Sequence, residues 1–138
     1  MLAREPATVQ DAWHARLYFV RPLTRYALAF IWLASALLGL FASDEATAMV
    51  ARAMQIPPDA AHALGILFSA ADLAIAAALV MRARTRPLAI VQLALVAGYT
   101  SGLGWIAPQM LVDPFGALLK NAAVLVLIVA WAALDDDR

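Results

Sequence analysis

The chain contains no cysteine, and only 14% of its 138 residues are charged. Without cysteine there are no disulfides, thiol nucleophiles or thiolate metal sites, and the redox compartment is left open. Two histidines are too few to build a metal site by themselves. Lys and Arg together number 10, as do Asp and Glu. The sequence therefore has neither the basic excess that binds nucleic acid nor the acidic excess of a solvating tail. It also has no G-x-G-x-x-G run for a dinucleotide, and the glycines from Gly98 to Gly104 lie in an apolar stretch and read as helix packing.

What is present is apolar surface. At 64% hydrophobic content, a soluble domain of this size could not cover its apolar residues, because it buries only about two-thirds of the surface its unfolded chain exposes. The excess is gathered in four stretches, residues 23–42, 60–81, 88–106 and 115–134. Each is long enough to cross a hydrocarbon core of about 30 Å at about 1.5 Å per helical residue. The expected fold is all-α, a single polytopic membrane domain over residues 1–138, built as an up-down four-helix transmembrane bundle.

Charge alternates between the connections. Arg4, Arg16, Arg21 and Arg25 precede or open the first stretch, and Arg82, Arg84 and Arg86 lie between the second and third. The other two connections carry Arg52 with Asp44, Glu45 and Asp59, and Asp113 alone. The excess of cations predicts that both termini are cytoplasmic. By parity Asp135, Asp136 and Asp137 share that side. A cleaved signal peptide is the competing reading of the first stretch, but more than twenty residues precede its apolar part, long for a charged leader region.

Local signals set the helix limits. Val9, Trp13, Leu17 and Val20 recur at helical spacing, which predicts an amphipathic segment on the inner membrane surface. Ala46, Met49, Val50, Ala53 and Met54 predict a short interfacial helix stopped by Pro57-Pro58. Arg86-Pro87 and Asp113-Pro114 open the third and fourth spans. Small residues at spacings of four mark faces where helices approach closely: Ser35 and Gly39, Gly65 and Ser69, and Ala94, Gly98 and Gly102.

Polar residues inside the apolar stretches are the only pointers to a site. Asp72 lies near the middle of the second stretch, where a carboxylate costs about 2.5 to 3.5 kcal/mol on insertion scales. Its spacing from Gly65 and Ser69 places it on the small-residue face, turned from lipid. Arg25, Gln92 and Lys120 are candidate partners, with Ser35 and Thr100 as further hydrogen-bonding neighbours. Lys120 differs from Asp72 in depth by roughly 9 Å and leans toward its helix N-terminus, so snorkelling to the surface is the competing reading. Asp72 itself has two readings, a structural group that fixes helix register and an element of a proton, ion or ligand pathway. His62 reads as interfacial.

The run Asp113-Pro114-Phe115-Gly116-Ala117-Leu118-Leu119-Lys120-Asn121 resembles the DPFGPLLKN signature of the DoxX-like membrane proteins, with alanine in place of the second proline. Arg25, Trp32, Gly65, Gln92 and Tyr99-Thr100 agree more loosely, so the resemblance covers about residues 23–134. The chain departs from the family pattern at Ala36, at Gly39-Leu40 and near Phe68, where relatives carry a Gly, a Lys and a Glu. The resemblance implies a four-helix bundle of a bacterial plasma membrane. Some relatives are joined to a short-chain-dehydrogenase-like domain, which is not expected within these 138 residues, and the family name comes from a subunit of a quinone-reducing complex. Two functional classes follow. One is a non-catalytic bundle that binds membrane lipid, a quinone or an isoprenoid among its helices, or that serves a redox or short-chain-dehydrogenase-like partner, with homo-oligomers allowed. The other is a small enzyme or proton-coupled transporter that uses Asp72, with Lys120 and Asn121 orienting the substrate. No cofactor or metal is expected, and Asp72, Gln92, Lys120, Asn121 and Arg25 are the polar-core candidates.

Overall fold

A computed structural model of the chain describes residues 17–106 and 120–135, together with Gln10 and Trp13. Five helices occur among them: α1 (Val20–Leu40), α2 (Asp44–Met54), α3 (Pro58–Val80), α4 (Thr85–Ile106) and α5 (Lys120–Leu134). No strand occurs among the described residues. The interfacial segment expected before the first span lies largely outside the described residues, as do Asp113, Pro114, Phe115 and Gly116.

α1, α3 and α4, of 21, 23 and 22 residues, are long and apolar enough to cross a membrane. α5 is equally apolar, but its 15 described residues span only about 22 Å at about 1.5 Å per residue. Residues 115–119, which would complete the fourth expected span, lie outside the described residues. Each long helix begins two or three residues before its apolar stretch. Pro58 and Pro87 fall in first turns, where a missing amide leaves no helical bond unmade.

α2 forms where the spacing of its apolar residues places it. The Ser43 Oγ accepts a hydrogen bond from the Ala46 amide, and Asp44 and Glu45 sit in the positive first turn. Gln55 closes the helix in the left-handed region at φ 55°, and the Ile56 amide reaches back to the Ala51 carbonyl. α3 ends in the same way. Arg82 takes φ 56° and the Ala83 amide bonds to the Ala78 carbonyl, which turns the chain into α4 within a few residues.

α1 and α3 pack antiparallel along their length, α5 packs on α4 and α1, and α2 lies against α3, whereas α3 and α4 touch at few positions. The core joins Leu28, Ala29 and Trp32 of α1 to Ile75, Ala76 and Leu79 of α3, Ala89 and Val96 of α4, and Ile128 and Trp131 of α5. Most of these residues lie in the half of the bundle where α1 and α4 begin and α3 and α5 end, here called the arginine end. Of the small residues expected between α1 and α3, Gly39 and Ser69 meet closely, whereas a Cβ on Gly65 would meet nothing. A Cβ on Gly39 would collide with the Ser69 hydroxyl, so the two backbones meet at a distance that glycine permits. The third small stripe does not follow. Ala94, Gly98 and Gly102 are exposed, and a Cβ on Gly98 or Gly102 would meet nothing, because α4 turns its larger residues Gln92, Val96 and Tyr99 inward.

Candidate functional site

Asp72 is 4% exposed, on the α3 face that also carries Ser69 and Ala76. Ser35 of α1 donates from Oγ to Asp72 Oδ2 at 2.6 Å. Asp72 Oδ1 is buried without a hydrogen-bonding partner, and so is the Tyr99 hydroxyl of α4. The Tyr99 ring is held by Phe68, one helical turn from Asp72 on α3, whose ring meets it edge-on with centroids 5.1 Å apart. α3 contributes the acid and the aromatic wall, α1 the serine, and α4 the phenol that reaches across the weakly packed α3–α4 boundary.

The other polar candidates take different partners. Gln92 is fully buried, and its Oε1 accepts from Trp32 Nε1 at 2.8 Å while its Nε2 donates to the Leu88 carbonyl at 3.2 Å. Gln92 is thus not the partner of Asp72, because the indole of Trp32, at a matching depth in α1, takes its acceptor. Asn121 donates from Nδ2 to Thr100 Oγ1 at 2.9 Å, and that hydroxyl donates to the Val96 carbonyl at 2.7 Å. Thr100 is therefore tied to α5 rather than to Asp72. Lys120 is exposed at the first position of α5 and forms no ion pair with Asp72.

Arg25 is the larger departure. It does not bind Asp72, since it lies at the arginine end beside Asp135. Its Nη2 pairs with Asp135 Oδ2 and its Nη1 donates to the Leu79 carbonyl at 3.2 Å. Arg21 Nε donates to Asp135 Oδ1 at 2.7 Å, and Thr85 Oγ1 and Trp131 Nε1 donate to Oδ2 at 3.2 and 3.0 Å. The Arg25 guanidinium also lies over the Trp131 ring, 5.4 Å from its centroid. Burial by itself pushes the Asp135 carboxyl up, but the hydrogen bonds and charges of Arg25 and Arg21 outweigh it and hold the group below the usual carboxylate value. The sequence reading missed Asp135, Trp131 and Thr85. The one available signal was the four-residue spacing of Trp131 and Asp135, which puts both on one face as the apolar stretch ends.

Among the described residues no three His, Asp or Glu side chains gather as a metal site, and His62 is exposed at the far end of α3. An apolar groove between α1 and α3, lined by Ala29, Phe30, Leu33, Leu73, Ala76 and Ala77, lies on the outer face. Asp72 Oδ1 and the Tyr99 hydroxyl are the buried side-chain polar atoms among the described residues that lack partners.

Long apolar helices joined by buried polar pairs, with apolar side chains turned outward, define a helical membrane protein. A family model described as the DoxX-like family matches residues 29–129, and the chain belongs to that family. No curated protein and no solved structure matches it. The matched region contains Ser35, Asp72, Gln92, Tyr99 and Asn121, and leaves Arg21, Arg25, Trp131 and Asp135 outside it.

Proposed function

We propose that this chain is a non-catalytic bundle of the plasma (inner) membrane, with four spans and both termini cytoplasmic, that holds a lipid- or quinone-like molecule between α3 and α4. The observation that carries this reading is the pair of buried, unpartnered oxygens, Asp72 Oδ1 and Tyr99 Oη. A buried polar atom without a hydrogen bond costs about 1 to 3 kcal/mol, and nearly all such atoms in folded proteins are satisfied. Two such atoms on helices that scarcely touch favour a molecule with its own polar atoms. The reading is non-catalytic in that Ser35, whose hydroxyl donates to Asp72, and Tyr99, whose ring packs on Phe68, are taken to bind and orient. The arginine residues at one end of α1, α3 and α4 support a cytoplasmic placement of that end.

The test is to extract the full chain in a mild detergent and to identify co-purifying lipids, quinones and proteins by mass spectrometry. A near-stoichiometric apolar molecule in the wild type, depleted in Asp72→Leu, is the expected result. A preparation free of both lipid and partner protein counts against the reading. Proton-coupled uptake into liposomes that vanishes in Asp72→Asn replaces it with a transporter.

A further inference from the structure

We infer that the open groove between α2 and the start of α3 holds an anionic phospholipid of the membrane surface, whose phosphodiester pairs with Arg52. The groove is separate from Asp72, which lies further along α3 from Pro58 by about 21 Å at about 1.5 Å per residue. Its occupancy therefore does not depend on the ligand proposed there.

The groove has a volume of about 550 Å³, in the range of small-molecule sites, and is lined by Ala48, Ala51, Arg52, Gln55, Ile56 and Pro58. Arg52 is the one charged residue of that lining. Its Nε donates to the Ala48 carbonyl, one turn back, at 3.1 Å, which folds the side chain along its own helix. The two terminal nitrogens remain, and they pair with no carboxylate among the described residues. A guanidinium offers such nitrogens as a planar fork that matches two oxygens of one phosphate. Gln55 brings a side-chain amide with further N–H donors to the same lining. Ala51, Ile56 and Pro58 supply an apolar side for the glycerol backbone and the first acyl carbons.

Depth points to a lipid as the source of the phosphate. The 21 residues of α1 span about 31 Å at about 1.5 Å per residue, enough to cross a hydrocarbon core of about 30 Å. α2 begins at Asp44, shortly after α1 ends at Leu40, so it lies at headgroup level. A phosphodiester carries a single negative charge that one guanidinium matches, and it brings an apolar tail to walls that inorganic phosphate would leave wet. No acid lines the groove, so the ammonium of a zwitterionic head gains no counter-charge there. An anionic head such as that of phosphatidylglycerol has no ammonium to place.

The chain has no cysteine, so Met49→Cys, on an exposed position of α2 about one turn from Arg52, provides a single thiol for a bimane label. The labelled full chain is reconstituted in phosphatidylcholine vesicles with a graded fraction of phosphatidylglycerol or phosphatidylcholine that carries a doxyl quencher high on one acyl chain. Half-maximal quenching is expected at about fivefold lower fraction for the glycerol lipid, the effect of one arginine at a lipid surface. Asp44, Glu45 and Asp59 make this connection acidic overall, so diffuse attraction would not produce that preference. Arg52→Gln is expected to erase the preference and to leave quenching by the choline lipid unchanged, which a collapse of α2 would alter. Arg84→Gln, at the arginine end, is expected to change neither. Equal quenching by the two lipids, or a preference that survives Arg52→Gln, overturns the inference. Relief of quenching by inorganic phosphate overturns it in favour of a free-anion site.

Discussion

Arg25 and Asp135 lie 110 residues apart in the chain and close an ion pair in which the guanidinium also caps another helix. The Leu79 carbonyl that Arg25 reaches is among the last four of α3, which have no partner inside the helix and carry the negative end of its dipole. One arginine therefore ties α1 to the C-terminus of α3 and, through Asp135, to the end of α5. Thr85 adds the start of α4 by bonding the same carboxylate. Three helices meet at one acid, and Arg25 joins the fourth to it.

The two arginines on that acid differ sharply in exposure, and their substitutions should differ likewise. The Arg25 side chain is 11% exposed and that of Arg21 is 55% exposed. Arg25→Leu, which leaves the buried Asp135 carboxylate with only the exposed Arg21 as counter-charge, is expected to lower unfolding stability in micelles by about 3 kcal/mol. Arg21→Ala is expected to cost less than about 1 kcal/mol. Equal losses in thermal unfolding would show that Arg25 is solvated and the clasp weak.

The same acid sets an acid limit on stability. Because the folded state holds Asp135 below its ordinary value of 3.8, its contribution is complete above that value and is lost as pH falls through the lowered one. The thermal midpoint difference between wild type and Asp135→Asn should stay constant from about pH 7 to about pH 5 and shrink below about pH 4. A difference that shrinks between about pH 7 and about pH 5 would point to another titrating group.

Gln92 and Trp32 form a buried amide–indole pair in the middle of the bundle. Gln92→Leu leaves the indole N–H without an acceptor and is expected to cost about 1 kcal/mol, within the range found for polar pairs between membrane helices. The double variant Trp32→Phe with Gln92→Leu should be less unstable than the sum of the two single changes. Simple additivity would mean that the two side chains do not depend on each other.

Gly39 faces Ser69 closely enough that an added Cβ would land on the hydroxyl, while Ser69 Cβ at 3.5 Å and the Gly65 carbonyl at 3.9 Å leave ordinary contact. Gly39→Ala should destabilise the α1–α3 pair by about 1 kcal/mol or more through overpacking. Adding Ser69→Ala should restore most of the loss. Failure of that rescue would place the conflict in the backbone.

Much of the architecture was legible because membrane helices advertise themselves by length. Residues 60–81 and 88–106 became α3 and α4 with starts two or three residues early, since Pro58 and Pro87 fit within a first helical turn. α2 was readable from the spacing of Ala46, Met49, Val50 and Ala53. Partner choice was far less legible. Asp72 was singled out by its cost in an apolar stretch and Ser35 was among its expected neighbours, but which of several polar groups it meets depends on helix rotation. Rotation gave Gln92 to Trp32 and Thr100 to Asn121. Asp135 was placed only on the cytoplasmic side, because it stands in a run of three acids, where sequence alone cannot separate a buried carboxylate from solvated ones. The stripe of Ala94, Gly98 and Gly102 misled for a related reason. Small residues permit a close approach without requiring one.

The concentration of packed residues at the arginine end bears on how the bundle yields. With Leu28, Leu79, Ile128 and Trp131 fully buried there and the clasp drawn across them, amide exchange should be slowest near Leu79 and Trp131 and quicken toward Gly39 and Trp105. The bundle is expected to open like tongs about a fixed joint. Arms that part from the far end bring Tyr99 away from Asp72 before any helix is lost, so the polar site can be reached by a fluctuation much smaller than unfolding.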